Sequence, residues 1–330
     1  MTASADPSAA ALTLPQRVPD FFIVGHFKCG TTALYRMLRR HPQICMPDVK
    51  ESWFFSPELR SPFRQPGTGT LPDTLEDYLS LFDDARPEQR LGEATPSYLT
   101  SRTAAGRIAD LQPDARIIAI LREPASFLRS FHLQCVQNHA ETETDLRKAI
   151  ALEGARREGK DIPRHSPWPQ ELLYSDHVLY VEQLRRYHAV FPPEQVLVLI
   201  YDDFRRDNEA TVRRVLRFLE VDDTYPLEVT RANPTVRVRS QRLNELLRSV
   251  YMGRGPSSRA VKAAVKVLTS RRVRRAALQA TRLRLLYGSP RPPDEDLMLE
   301  LRRRFKGEVV ALSEYLDRDL VTLWGYDGIS

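Results

Sequence analysis

Residues 25 to 32 read Gly-His-Phe-Lys-Cys-Gly-Thr-Thr. The two glycines and the closing hydroxyls have the spacing of a loop whose backbone amides wrap a phosphate. In loops that hold a nucleoside triphosphate, a lysine directly after the second glycine reaches the terminal phosphates. Here the lysine stands two positions before that glycine, at Lys28. The chemistry on offer is anion binding with a relocated cation. Lys28 and the amides of a following helix start supply positive charge, and Thr31 and Thr32 supply hydroxyl donors.

Two other places put charge at the end of an apolar run. "RIIAIL" (116 to 121) runs into Arg122, which suits a further anionic group better than a metal ion. "QVLVLIY" (195 to 201) runs into Asp202 and Asp203, so a kinase-like reading stays open in which one of these aspartates holds Mg²⁺ for ATP. His26, His132 and His139 are rival proton acceptors, and of the three His26 lies within the glycine loop.

These groups require elements that hold them. "DFFIVG" (20 to 25) is a short apolar run ended by glycine, the pattern of a strand buried on both faces of a parallel sheet. From Thr32, "TALYRMLRRHP" places Leu34, Met37 and Leu38 on one helical face and Arg36, Arg39 and Arg40 on another, and stops before Pro42. The runs at 116–121 and 195–201 are each followed by a helical pattern, "ASFLRSFHLQCVQ" and "NEATVRRVLRFLEV". "LGEATPSYL" (91 to 99) reads as a short strand entering a Pro-containing loop, and "LYVEQLRRYHAVF" (179 to 191) as an amphipathic helix. Strands alternating with helices predict an α/β fold with a P-loop-like parallel sheet flanked by helices.

Beyond residue 236 the character changes. From 237 to 291 Arg and Lys recur, Glu245 is the one acid, and no strand pattern is visible, which predicts a basic helical region. It reads as a solvated face or substrate lid, with nucleic-acid binding and carrier or membrane docking as alternatives. Without aromatic residues interleaved among the charges it is no nucleic-acid platform. The tail, residues 297–326, is a strongly periodic helix ending in Trp-Gly-Tyr. Residues 1–16 are expected to be disordered by composition, 17–236 to form the core, and 237–330 to close the same domain.

Bulk properties agree with a globular enzyme. The 330 residues, 42% hydrophobic and 28% charged, can bury a sizeable core, and the net charge of +6 favours an anionic ligand weakly. Three cysteines, with no paired C-x-x-C, argue against a zinc site or a disulfide framework. Without a signal-peptide pattern or an apolar run of the ~18 residues that a spanning helix needs, the expected setting is soluble and cytoplasmic.

The stretch "FFIVGHFKCGTTALYRMLRRHPQICMPDVKESWFF" resembles the 5′-phosphosulfate loop and following region of sulfotransferases that use 3′-phosphoadenosine 5′-phosphosulfate (PAPS), especially heparan-type and bacterial natural-product enzymes. The loop there reads like K-x-G-T-T, matched here by Lys28, Cys29, Gly30, Thr31 and Thr32. "LREPASFLRS" (121 to 130) looks like the family's 3′-phosphate motif, represented by Arg122 and Ser130, and "KESWFF" (50 to 55) resembles the stretch that carries its catalytic glutamate, here Glu51. The match runs in order over roughly residues 20 to 220. It implies sulfuryl transfer from PAPS, with 3′-phosphoadenosine 5′-phosphate (PAP) as product, to a hydroxyl of a small-molecule or carrier-bound metabolite. Glu51 would be the general base, Lys28 would stabilise the leaving phosphate, and no metal would be needed. The sequence departs from heparan-type enzymes at Trp53, where they carry histidine, and at Ala94, where the E-K-T-P stretch carries lysine. Those departures disfavour a polyanionic sugar, and Trp53 suits an apolar or aromatic acceptor or stacking on adenine. "RVRS" (237 to 240) and Arg291 are candidates for further donor contacts.

Overall fold

The computed structural model describes residues 17–60, 71–163, 166, 169–228, 237–238, 287–288 and 292–329. Five strands, β1 (Phe21–Gly25), β2 (Ile44–Cys45), β3 (Arg90–Ala94), β4 (Arg116–Leu121) and β5 (Val196–Ile200), form a parallel sheet in the order β2-β3-β1-β4-β5. The helices are α1 (Thr31–Leu38), α2 (Leu75–Leu79), α3 (Ala104–Leu111), α4 (Pro124–Gln137), α5 (Leu146–Ala151), α6 (Glu153–Arg157), α7 (Tyr180–His188), α8 (Tyr201–Arg206), α9 (Asn208–Phe218), α10 (Glu295–Tyr315) and α11 (Leu320–Leu323). β1 is buried along its whole length and β4 from Ile117 onward. Their unbroken apolar runs follow from helices covering both faces of the sheet.

The topology positions the site. The chain passes from β3 over β1 to β4, so the C-terminal end of β1 lies at the point where strand order reverses, where loops on either side diverge and leave a crevice. Helix α4 opens at this edge. Pro124 takes its first position, and the Glu123 carboxylate accepts from the Ala125 and Ser126 N–H groups at 3.0 and 2.6 Å, satisfying donors that a helix start leaves open. α1 buries Leu34, Met37 and Leu38 and leaves Arg36, Arg39 and Arg40 outside. It ends at Leu38, before Pro42, with the His41 N–H turned back to the Leu38 carbonyl at 2.9 Å.

The C-terminal helix α10 packs against α4 and α7 through Leu301, Phe305, Val309 and Leu312. Beyond it Tyr326, fully buried, donates its hydroxyl to Glu123 at 2.6 Å, and the Trp324 indole donates to Asp202 at 3.0 Å. The tail is thereby fastened to the residues that follow β4 and β5.

Three features differ from the sequence reading, the first being that the tail expected as one helix over 297–326 is split into α10 and α11, with Asp317 between them at a φ of +47°. β2 has two residues, too few to leave a periodic signature. Within the segment read as helical without strands, β6 (Arg237–Val238) pairs antiparallel with β7 (Tyr287–Gly288) beside α4. The rest of 237–291, including residues 239–240 and Arg291, lies outside the described residues, as does the expected disordered stretch 1–16.

Candidate active site

The loop from His26 to Gly30 leaves β1 and delivers the chain into α1. Gly30 has a φ of +90°, and a Cβ there would stand 2.8 Å from the Phe204 ring. Both conformation and space therefore demand glycine. Because Gly30 has no side chain, the start of α1 carries no side-chain cap, and its first N–H groups remain to face an anion. Thr31 is buried and Thr32 half-buried on that first turn. Cys29 points into the core, where burial pushes its thiol up to about 12, and its N–H turns to the His26 carbonyl at 3.3 Å. Cys29 serves the loop by packing, as a neutral thiol.

Lys28 and Arg122 meet across this loop. The Arg122 guanidinium donates to the Lys28 carbonyl at 3.1 Å and lies 4.7 Å from the Tyr201 ring centroid. Tyr180 donates its hydroxyl to the Arg122 carbonyl at 2.9 Å, holding the β4 terminus in place. Burial, and then the Arg122 charge, pull the Lys28 ammonium below its usual range. Among the described residues no carboxylate pairs with either cation. Glu123 and Glu93, the acids nearest Arg122 in sequence or strand order, are occupied elsewhere, Glu123 by the start of α4 and Glu93 by hydroxyls. Arg129, one residue before Ser130, also feels the Arg122 charge; sequence reasoning passed over it although it stands inside the quoted motif. Ser130 is buried on α4, roughly two turns from the helix start.

Glu51, in the loop after β2, is tied to the end of β3. Its N–H donates to the Ala94 carbonyl at 3.0 Å, and Lys50 holds its carboxylate at 2.7 Å. The next residue is anchored more firmly. The Ser52 N–H donates to Thr95 at 3.1 Å and the Ser52 hydroxyl to Glu93 at 2.9 Å. Glu93 is buried in a cage of hydroxyls from Ser52, Thr95, Tyr78 and Tyr98. Burial pushes its carboxyl up while the four donors draw it back. Nothing in the sequence marked this cage, because Ser52 and Tyr78 come to Glu93, Thr95 and Tyr98 from two separate stretches of the chain.

Trp53, two residues after Glu51, lines a cavity of about 480 Å³ together with Phe27 from the glycine loop. Leu59, Leu173, Leu179 and Glu171 contribute further walls. Ala94 is buried in β3 and takes part through its carbonyl. The rival bases are placed otherwise. His26 is fully buried among Phe127, Tyr180 and His177, and burial, then His177, hold it well below the usual imidazole range. His132 bonds the Glu143 carbonyl at 2.8 Å, and His139 lies at the far end of α4 with a φ of +62°.

Asp202 accepts from Trp324, and Asp203 pairs with Arg206 at 3.0 Å and Arg318 at 2.6 Å. Both aspartates thus fasten the C-terminal region. Among the described residues no three His, Cys, Asp or Glu side chains gather as a metal site.

A parallel sheet flanked by helices, with an uncapped glycine loop at the end of its central strand, defines an α/β fold of P-loop type. The sulfotransferase domain matches residues 18–249, and the chain belongs to this family of transferases, whose usual donor is PAPS. It is 28% identical to a sulfotransferase from Alicyclobacillus acidocaldarius of known crystal structure, with a TM-score of 0.64 over 93% of this chain and 99% of that one. It is 26% identical over 255 residues to human carbohydrate sulfotransferase 15, covering 62% of this chain and 44% of that protein. Against the membrane-associated sulfotransferase kil1 of Dictyostelium discoideum the identity is 33% over 107 residues, 32% of this chain and 21% of the relative. The chain therefore spans less than half the length of these curated relatives. Among its described residues no helix is long and apolar enough to cross a membrane.

Proposed function

We propose that the protein transfers the sulfuryl group of PAPS to a hydroxyl of a small-molecule or carrier-bound metabolite. The observation that carries this reading is the pair Lys28 and Arg122, two neighbouring cations without an acid between them, set against the uncapped start of α1. Such an arrangement is costly by itself and is relieved by a polyanion. The residues present fit the donor. Lys28, the first amides of α1, Thr31 and Thr32 would hold the 5′-phosphosulfate, and Arg122 with Ser130 the 3′-phosphate. When bound, PAPS supplies a sulfuryl group on a phosphate leaving group.

The chain's own contribution is electrostatic and positional. Lys28 and the helix start stabilise negative charge at the leaving oxygen. Glu51, on the β3 side of the same crevice and kept in place by Ala94 and Ser52, removes the acceptor proton. The three cysteines are free thiols, which supports the cytoplasmic setting expected from sequence.

A thermal-shift panel tests the reading. PAP should stabilise the protein far more than AMP, and Arg122→Ala should erase most of the difference, a loss of about 2 kcal/mol for a charge-assisted contact. Equal shifts with PAP and AMP, or stabilisation by ATP with Mg²⁺ alone, would sink it in favour of a kinase.

A further inference from the structure

Resting on the sulfotransferase reading, we propose that the cavity beside Trp53 and Phe27 is the acceptor site. Its Glu171, an acid without a partner for its carboxyl among the described residues, selects an acceptor with a protonated amine on a flat apolar body. The cavity adjoins the donor loop through Phe27 and the Glu51 segment through Trp53. A compound seated there is therefore within reach of both halves of the chemistry.

Its charges are unevenly matched. Arg157 is gripped by both oxygens of Asp176 at 3.0 and 2.5 Å. Arg186 is held by Glu182 at 2.8 Å and by the carbonyls of Leu99 and Thr100. Glu58 accepts from the hydroxyls of Ser101 and Thr103, and Arg102 stands exposed at the rim. Lys50 is committed to Glu51. Among the acids that line the cavity Glu171 is distinct: among the described residues no hydrogen bond or ion pair reaches its carboxyl. Among the described groups around it, His177 and Cys135 offer no compensation. His177 is pulled down to about 4 by burial and stays neutral, and the thiol of Cys135 is held far up, first by burial and then by Glu171 itself.

Burial and the like charge of Glu51 push Glu171 up to about 7. A bound ammonium would supply the missing countercharge and lower the cost of keeping both carboxylates ionised. Phe27 and Trp53 would flank an aromatic or other flat body, with a cation–π contribution to the same preference. An anionic acceptor would meet two acids and be rejected.

The experiment measures binding of tyramine, 4-ethylphenol and 3-(4-hydroxyphenyl)propionate by isothermal titration at pH 8, with and without PAP, to the wild type and Glu171→Gln. Tyramine should bind at least tenfold tighter than 4-ethylphenol, the propionate should bind worst, and Glu171→Gln should abolish the tyramine advantage. The variant should fold with an equal or higher Tm at pH 8. Equal binding of tyramine and 4-ethylphenol, or a preference that survives in Glu171→Gln, overturns the proposal. Because PAP is a separate arm, failure of PAP to bind while the amine preference holds would refute the donor assignment and leave this one standing. PAP binding without an amine preference would do the reverse.

Discussion

Lys28 and Glu51, the two residues proposed for the chemistry, are both anchored through the backbone. Lys28 is fixed through its carbonyl by Arg122, and Glu51 through its N–H by Ala94. The Lys28 ammonium has no carboxylate partner among the described residues, whereas the Glu51 carboxylate is held by Lys50. If Glu51 is the base, Glu51→Gln keeps size and hydrogen bonding but removes the proton acceptor. PAP affinity should then stay near wild type while kcat falls roughly 10²–10⁴-fold, as steady-state kinetics would report. With an acidic phenol the defect should shrink as pH rises, because the acceptor ionises unaided; an aliphatic alcohol should show no such rescue. At this scale the sequence places Arg122 directly after β4 and Lys28 in the loop after β1, and the structure brings the Arg122 guanidinium onto the Lys28 carbonyl. Asp202 and Asp203, which also follow a strand, are instead taken up by the C-terminal region. Glu171 was not legible, since a lone glutamate gains meaning when packing brings it beside Glu51 from a distant turn.

At the scale of elements, the strand-to-helix corner around Gly30 governs the donor side. A methyl group at this position would adopt an unfavourable positive φ and press on Phe204. Gly30→Ala should therefore cost about 1–3 kcal/mol in urea unfolding and, by tilting the start of α1, weaken PAP binding as well. Unchanged stability together with unchanged binding would show that the corner relaxes freely. The strand at 116–121 was readable because burial on both faces leaves a continuous apolar run, and the edge strand at 196–200, with Val196 and Val198 half-buried, keeps an apolar run as well. The hydroxyl cage around Glu93 was hidden for the opposite reason. Its serine, threonine and tyrosines are unremarkable one by one, and they become a device when β3, α2 and the turns after β2 and β3 converge.

For the molecule as a whole, a second buried charge stands away from the crevice. Arg156 and Glu141 pair at 2.8 Å with side chains 1% and 0% exposed, and Tyr174 donates to the same carboxylate at 3.0 Å. Burial opposes the Glu141 charge, but Arg156 and hydrogen bonds from the Glu143 N–H and Tyr174 outweigh it and hold the carboxyl below its ordinary value. Because the folded form releases the proton more readily, this pair stabilises the protein above the ordinary value of 4.5 and loses that contribution as pH falls through the depressed folded value. Glu141→Gln should cost about 3–5 kcal/mol at pH 7, since it strands Arg156. Its Tm deficit should narrow in a pH series carried below 4. A deficit independent of pH would mean that packing, not charge, is lost. The bonds from Tyr326 to Glu123 and from Trp324 to Asp202 also bear on the order in which the protein is made. A ribosome finishes the glycine loop early and the clasp that steadies the termini of β4 and β5 late, so a growing chain carries the donor loop long before the edge around it is locked. On a chain made from its N-terminus this clasp is thus among the late contacts, formed after the strands whose ends it holds.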